Sequence, residues 1–186
     1  MFDETKNPWK TLNSEVKYDN PWIKITEHKT INAADGDGIY GVVHFKNIAI
    51  GIIPLDENYN TWLVGQYRYP LNQYSWEICE GGGIKNENVL TSAKRELLEE
   101  LGIKASSWEK IMDMHLSNSV SDEEGVIYVA KDLSFFNADP EDCEVLQIKK
   151  VPLNTAYEMV MSGKITDSLT VAGVLKAKIL VDKGVL

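Results

Sequence analysis

Three glutamates, Glu96, Glu99 and Glu100, stand at i, i+3 and i+4 in NVLTSAKRELLEELGI, residues 88–103. On a helix that spacing gathers them on one arc. Like charges so placed destabilise an isolated helix by about 0.2–0.5 kcal/mol per pair. A hard divalent cation would turn the repulsion into ligation, and Mg2+ takes oxygen ligands that it commonly shares with substrate phosphates. Just upstream, Gly81, Gly82 and Gly83 follow one another. Lacking side chains, they let backbone carbonyls or amides approach an ion or a phosphate closely. Each feature alone has a plainer reading, the charge run as a solvated helix face and the glycines as a turn.

The elements that must position these residues follow from periodicity. Leu90, Ala93, Leu97 and Leu101 share one side, which predicts a helix from Asn88 to Leu101 with the glutamates well away from the apolar stripe. Gly102 suits a left-handed terminator. Upstream, WIKITEH (22–28) alternates as a half-buried strand does, ADGDG (34–38) reads as a hairpin turn, and IYGVVHF (39–45) resumes extended structure. NIAIGIIPL (47–55) should be a fully buried strand, and after the turn DENYN (56–60), TWLVGQYRYP (61–70) reads as its partner. WEICE (76–80) leads into the glycines. Downstream come strand-like runs at 108–116 and 125–131 and a polar loop, NADPEDCE (137–144). A helix in NTAYEMVMSGK, ended by Gly163, precedes a last helix in DSLTVAGVLKAKILVDKG. Strands and helices without regular alternation suggest an α+β fold with a sheet packed between helices. Residues 1–45 read as a strand arm preceding a main domain at 46–186.

Bulk properties bound the rest. A chain of 186 residues suits one globular domain with a small appendage. No long apolar run occurs, and MFDETKNPWK lacks the basic head and apolar stretch of a secretory signal, so the cytoplasm is the expected compartment. Cys79 and Cys143 are too few for a disulfide framework and lack zinc-site spacing, and His28, His44 and His115 form no ligand motif. A net charge of −9 opposes binding to nucleic acid or an anionic membrane, and neither is expected as a partner. It also opposes a phosphorylated small molecule unless the sign is inverted locally.

The complete spacing is more specific than its parts. Gly81, five residues, Glu87, seven residues, then Arg95-Glu96-Leu97-Leu98-Glu99-Glu100-Leu101-Gly102-Ile103 resembles the Nudix box, G-x5-E-x7-R-E-U-x-E-E-x-G-U with U bulky and apolar, at every fixed position. The resemblance implies a Nudix α/β/α sandwich with a mixed β-sheet that hydrolyses a nucleoside diphosphate linked to another moiety. It makes Glu96, Glu99 and Glu100 carriers of Mg2+, for which Mn2+ can substitute. The backbone carbonyl of Glu80 becomes a further ligand, and Arg95 and Glu87 become structural, orienting residues. Bound cations would also resolve the charge conflict.

Other stretches resemble the branch acting on ADP-ribose and nucleoside diphosphate sugars. GQYRYP resembles its Gln-Tyr-Arg segment, in which the arginine, here Arg68, contacts the diphosphate. WEICEGGG resembles E-x-P-A-G-G, with Glu77 as the shared glutamate and with Cys79 and Glu80 replacing proline and alanine. AYEMVMSGKITDSLTVAGVL and EDCEVLQIKKV resemble its C-terminal helices and its acidic loop. In several family members that loop supplies the water-activating base, which the resemblance places at Asp142 with Glu141 and Glu144 beside it. Where dedicated ADP-ribose enzymes tend to carry proline, this chain has Asn118, which shifts the expected preference toward a sugar whose hydroxyls Asn118 could bind. The branch usually forms homodimers through the N-terminal arm. Trp22 there could stack on the nucleobase, with a place in the core as the plainer reading. The expected reaction converts a nucleoside diphosphate sugar or ADP-ribose to a nucleoside monophosphate and a sugar phosphate, with Glu100 counted among both ligands and catalytic residues. Rival readings are a Nudix hydrolase of another nucleoside diphosphate compound, such as a dinucleotide polyphosphate or a coenzyme, and a non-catalytic Nudix ligand sensor.

Overall fold

A computed structural model describes residues 4–85, 87–139 and 145–186. The chain divides into two compact units, Met1–Asn47 with Ser117–Glu123, and Ile48–Leu116 with Glu124–Leu186.

The first unit is an antiparallel sheet of β1 (Lys10–Asp19), β2 (Ile23–Ile31) and β3 (Asp37–Phe45), in that order. Asparagines make its turns. The Asn20 side-chain oxygen accepts the amides of Trp22 and Ile23, and that of Asn32 accepts those of Ala34 and Gly36. Segment 117–123 is fastened to β3. The Val43 amide donates to the Val120 carbonyl, and the Asp122 carboxylate accepts the Phe45 amide and contacts His44 Nδ1 at 2.7 Å. All ten residues of β1 are exposed, Leu12, Val16 and Tyr18 among them.

In the second unit β4 (Asn47–Pro54) lies inside a mixed sheet ordered β7-β4-β9-β8, built with β7 (Cys79–Ile84), β8 (Ile103–His115) and β9 (Glu124–Phe135). β4 runs parallel to β9, and β8 antiparallel to β9. β5 (Asn60–Arg68), β6 (Gln73–Glu77) and β10 (Gln147–Pro152) form a second, antiparallel sheet ordered β10-β5-β6. Two expectations change here. TWLVGQYRYP does not pair with the strand before it, because β7 and β9 occupy both hydrogen-bonding edges of β4. The Asp56 carboxylate, accepting the amides of Asn58 and Asn60, turns the chain into the other sheet instead. The glycine run, for its part, continues as strand rather than loop.

Strands buried on both faces explain the near-continuous apolar runs. Ile50, Ile52, Trp62, Val64, Tyr128 and Ala130 pack with Ala93, Leu97 and Leu101 of α1 (Val89–Leu101). Ile53, Leu63, Ile127 and Val129 pack instead with Leu153 and Ala156 of α2 (Leu153–Met161) and with Leu169, Val174 and Ala177 of α3 (Ser168–Asp182). The result is the expected α/β/α sandwich, an α+β fold. Among the described residues no helix is long and apolar enough to cross a membrane.

Candidate active site

Helix α1 carries the acidic group, and local chemistry sets both its ends. The Asn88 side chain accepts the Leu90 amide at 3.0 Å, and Gly102 ends the helix at φ 63°. On this helix Arg95 joins two of the glutamates. One guanidinium nitrogen bonds Glu99, and the other reaches Glu96 at 2.6 Å. Glu96 leans on the glycine strand, where its carboxylate accepts the Gly82 amide at 3.2 Å. A Cβ on Gly81 would lie 2.1 Å from Glu96 Cδ. The glycine therefore serves close approach rather than an unusual φ. Burial raises the Glu96 carboxyl above its ordinary value in spite of Arg95.

Glu100 corrects one expectation. It is only 3% exposed, so it does not lie well away from the apolar stripe. It stands seven positions after buried Ala93, two turns along, which brings it back to the same helix side. There it meets Cys79, whose thiol is pushed up by burial and by the hydrogen-bonded Glu100 carboxylate. Glu87 is exposed, and its amide donates to the Ile84 carbonyl in the turn before the helix.

A second group faces the start of β7. Arg68, at the end of β5, makes a forked contact with Glu77, which is almost wholly buried, and lies 3.7 Å from Glu80 Oε2. Burial opposes the guanidinium charge, but Glu77 and Glu80 hold its pKa above the ordinary value. Glu80 is pushed well up by burial and by its hydrogen bond to Asp167. Asp167 caps α3 and is held low, since hydrogen bonds from Glu80 and Thr170 outweigh burial. Arg68, Ser75, Glu77, Thr166, Asp167 and Ser168 line a cavity of about 360 Å³, together with Pro70 and Leu71. A larger cavity of about 790 Å³, around Tyr59 and Lys131, is lined by no residue of the 81–103 stretch.

The sequence did not single out Asp167 or Thr170, although Asp-Ser-Leu-Thr is a helix-start signal. Asp142, Glu141 and Glu144 lie outside the described residues. The approach to their loop is fixed on α1: the Phe136 amide donates to the Gly102 carbonyl, and the Asp139 amide to that of Glu99 at 2.9 Å. Trp22 is 67% exposed at the β1–β2 turn, which excludes the core reading. Asn118 sits exposed in the first unit's 117–123 segment.

The donor set suits a hard cation. Glu96, Glu99 and Glu100 offer carboxylates, Glu80 offers a carbonyl beside the bare glycines, and no nitrogen ligand is near in sequence. Among the described residues no three such side chains converge as a formed metal cluster. Arg95 instead holds the Glu96 and Glu99 carboxylates through its two bonds.

Comparison with known proteins gives this geometry a family. Residues 45–167 match the NUDIX domain. The chain belongs to the Nudix family. Residues 9–43, within the first unit, match the nucleoside diphosphate sugar hydrolase N-terminal domain. The Nudix chain is 32% identical over 138 residues to an ADP-ribose pyrophosphatase of Mycobacterium tuberculosis, covering 72% of this chain and 65% of that protein, just under two thirds of its length. It is 31% identical to a methanol dehydrogenase activator of Bacillus methanolicus, over 68% of this chain and 69% of the relative. A crystal structure of an ADP compounds hydrolase superposes with a TM-score of 0.85 at 18% identity, covering 99% of this chain and 100% of the other. At that identity the likeness speaks for the Nudix fold.

Proposed function

We propose that the protein is a Nudix pyrophosphohydrolase that cleaves the diphosphate bond of a nucleoside diphosphate sugar or ADP-ribose. Water adds to one phosphorus, the P–O–P bridge breaks, and a nucleoside monophosphate and a sugar phosphate leave. The observation that carries the reading is Glu96, seated against Gly81 and on the Gly82 amide while Arg95 joins it to Glu99. Helix and glycine strand thereby share one oxygen-rich cradle. The relatives' names support the substrate class, and the match over residues 9–43 favours nucleotide sugars.

Glu96, Glu99, Glu100 and the Glu80 carbonyl are assigned to hold Mg2+, with Mn2+ as a substitute. When bound, such a cation polarises phosphoryl oxygens and lowers the pKa of a water. Arg68, oriented by Glu77, supplies a fixed positive charge for the diphosphate. The loop from Asp139 to Glu144 supplies the base, with Asp142 first and Glu141 and Glu144 beside it. Its described start is anchored on the Glu99 carbonyl. The arm serves dimerisation through the exposed apolar side chains of β1, and Trp22 is assigned to stack on the nucleobase. Cytoplasmic location remains part of this reading.

The test is turnover across nucleoside diphosphate sugars and ADP-ribose, with phosphate release coupled to a phosphatase. Glu100→Gln should lower turnover by two orders of magnitude or more, on the order of 3 kcal/mol of barrier. Wild-type-like turnover in that variant, or full activity in excess chelator, defeats the metal assignment. Asn118 leads us to expect at least one nucleoside diphosphate hexose with kcat/KM matching or exceeding that of ADP-ribose.

A further inference from the structure

Glu80 stands where the resembling pattern has alanine, and the proposed reaction leaves its side chain without a task. The structure gives that side chain a partner. Glu80 Oε1 accepts a hydrogen bond from Thr170 Oγ1 at 2.9 Å. Thr170 is wholly buried, and the same hydroxyl oxygen accepts the Ile78 amide at 3.0 Å. One hydroxyl thus grips the residues on either side of Cys79, at the start of the strand that presents the carbonyl of residue 80. Thr170 is itself fixed, because its amide donates to the capping carboxylate of Asp167 at 2.8 Å.

The rest of α3 is held firmly to the sheet. A Cβ on Gly173 would come within 3.1 Å of Ile53 Cδ1 and 3.2 Å of Ile127 Cγ2, so the helix leaves little room to shift. The other Glu80 oxygen faces Arg68, which is already forked onto Glu77. Helix α3, the start of β7 and the end of β5 are therefore joined through a short polar chain with Thr170 at its centre.

We propose that Thr170 is a positioning residue, acting through Glu80 and Ile78 to set the carbonyl of residue 80 for a divalent cation and to hold Arg68 beside it. The inference rests on the metal-dependent reading above. A threonine buried only to fill space would require its volume and not its hydroxyl, and Thr170→Val keeps the volume. Partners that orient metal ligands from behind change metal affinity by about 10–100-fold when removed.

The experiment measures Mn2+ binding by electron paramagnetic resonance, together with kcat and KM for the best nucleotide-sugar substrate. It uses the wild type, Thr170→Val, Thr170→Ser, Glu80→Ala, the Thr170→Val/Glu80→Ala pair and Glu99→Gln. Thr170→Val should weaken Mn2+ binding and lower kcat by about tenfold each, with KM changed less than about threefold. Thr170→Ser should restore both to within about threefold of wild type. Glu80→Ala should reproduce the loss, and the double variant should add little, since both changes break one chain of contacts. Mn2+ affinity and kcat within about twofold of wild type in Thr170→Val, or multiplying effects in the double variant, overturn the proposal. Should Thr170→Val not fold, Glu80→Ala alone decides in the same way. Failure of the wild type to bind Mn2+, or unchanged binding in Glu99→Gln, would strike the metal reading itself and this inference with it.

Discussion

Replacing Gly81 with alanine would test the cradle with a single methyl group. Gly81 is not among the described glycines with positive φ, which are Gly102, Gly163 and Gly184, so the backbone accepts alanine without strain. Restricting the unfolded chain would even stabilise the protein by about 0.4–1 kcal/mol. The conflict lies in the new Cβ, 2.1 Å from Glu96 Cδ and 2.3 Å from Cγ, where ordinary contact begins at 3.4 Å. Neither backbone yields easily. Gly81 lies on a strand hydrogen-bonded to β4, and α1 is held by wholly buried Ala93 and Leu97. Rotation of the Glu96 side chain is the cheapest relief. It abandons the Gly82 amide and Arg95, costing about 1–2 kcal/mol in rotamer strain and partly exposed hydrogen bonds. Net stability should therefore stay within about 1 kcal/mol of wild type by urea denaturation. Turnover, measured by the coupled phosphate assay, should fall at least about a hundredfold, or ~2.7 kcal/mol, because the displaced carboxylate leaves the cradle. Retention of more than about a third of wild-type turnover, well under 1 kcal/mol of barrier, would refute the role given to Glu96. A stability loss above about 3 kcal/mol would show the clash relieved through the backbone instead.

Two other glycines separate strain from contact. Gly163→Ala, at φ 72° in open space, should cost about 1–2 kcal/mol from left-handed strain alone, whereas Gly102→Ala, at φ 63° with its Cβ 2.3 Å from the Phe136 carbonyl oxygen, should cost about 1–3 kcal/mol more by urea denaturation. Equal losses would remove the close packing of residues 136–138 on Gly102. Thr61, fully buried in β5, has no hydrogen-bond partner for its hydroxyl among the described residues, so Thr61→Val should be neutral or stabilising by up to about 1 kcal/mol, read as a rise in Tm. At Asp56, burial works against the charge, but Lys150, the Asn60 side chain and the backbone amides of Asn58 and Asn60 hold the carboxyl down at about 2. With an unfolded value of about 3.9, its contribution is present above about pH 4 and lost as pH falls through about 2, so Asp56→Asn should lower the urea midpoint at pH 7 and flatten its decline across that window.

Where a signal is local, the sequence was readable. The helix expected over Asn88–Leu101 is α1, Val89–Leu101, because Asn88 and Gly102 carry their capping chemistry in adjacent residues. The arm's strands and its ADGDG turn follow alternation and turn residues in the same way. Sheet membership is different, since nothing within TWLVGQYRYP states that the edges of β4 are already taken. The burial of Glu100 was available from its seven-residue spacing to Ala93 but was masked by reading the glutamates as a single arc. Glu80 could be noticed from the sequence but not given a partner. Thr170 lies ninety positions downstream and reaches it only because α3 packs back over β7. Trp22 shows the remaining weakness, because a tryptophan in an alternating strand suggests burial whether or not anything covers it.

The parallel pairing of β4 with β9, from Ala49 opposite Gly125 to Pro54 opposite Ala130, bears on how the molecule is made. Arg68, Glu80 and the glutamates of α1 all belong to the stretch between those strands. During synthesis the whole cradle leaves the ribosome before the strand that completes the sheet beside β4. Until β9 arrives, Ile50 and Ile52 on one face and Ile53 on the other lack part of their cover. Long-range parallel closure is slow, and exposed apolar strands aggregate, so the nascent chain is most vulnerable just after Arg68, Glu80 and the glutamates of α1 have been made, and before the base loop and α3 follow. A chain arrested before residue 124 should require a chaperone to stay in solution, whereas one extended through Phe135 gains the strand that covers them.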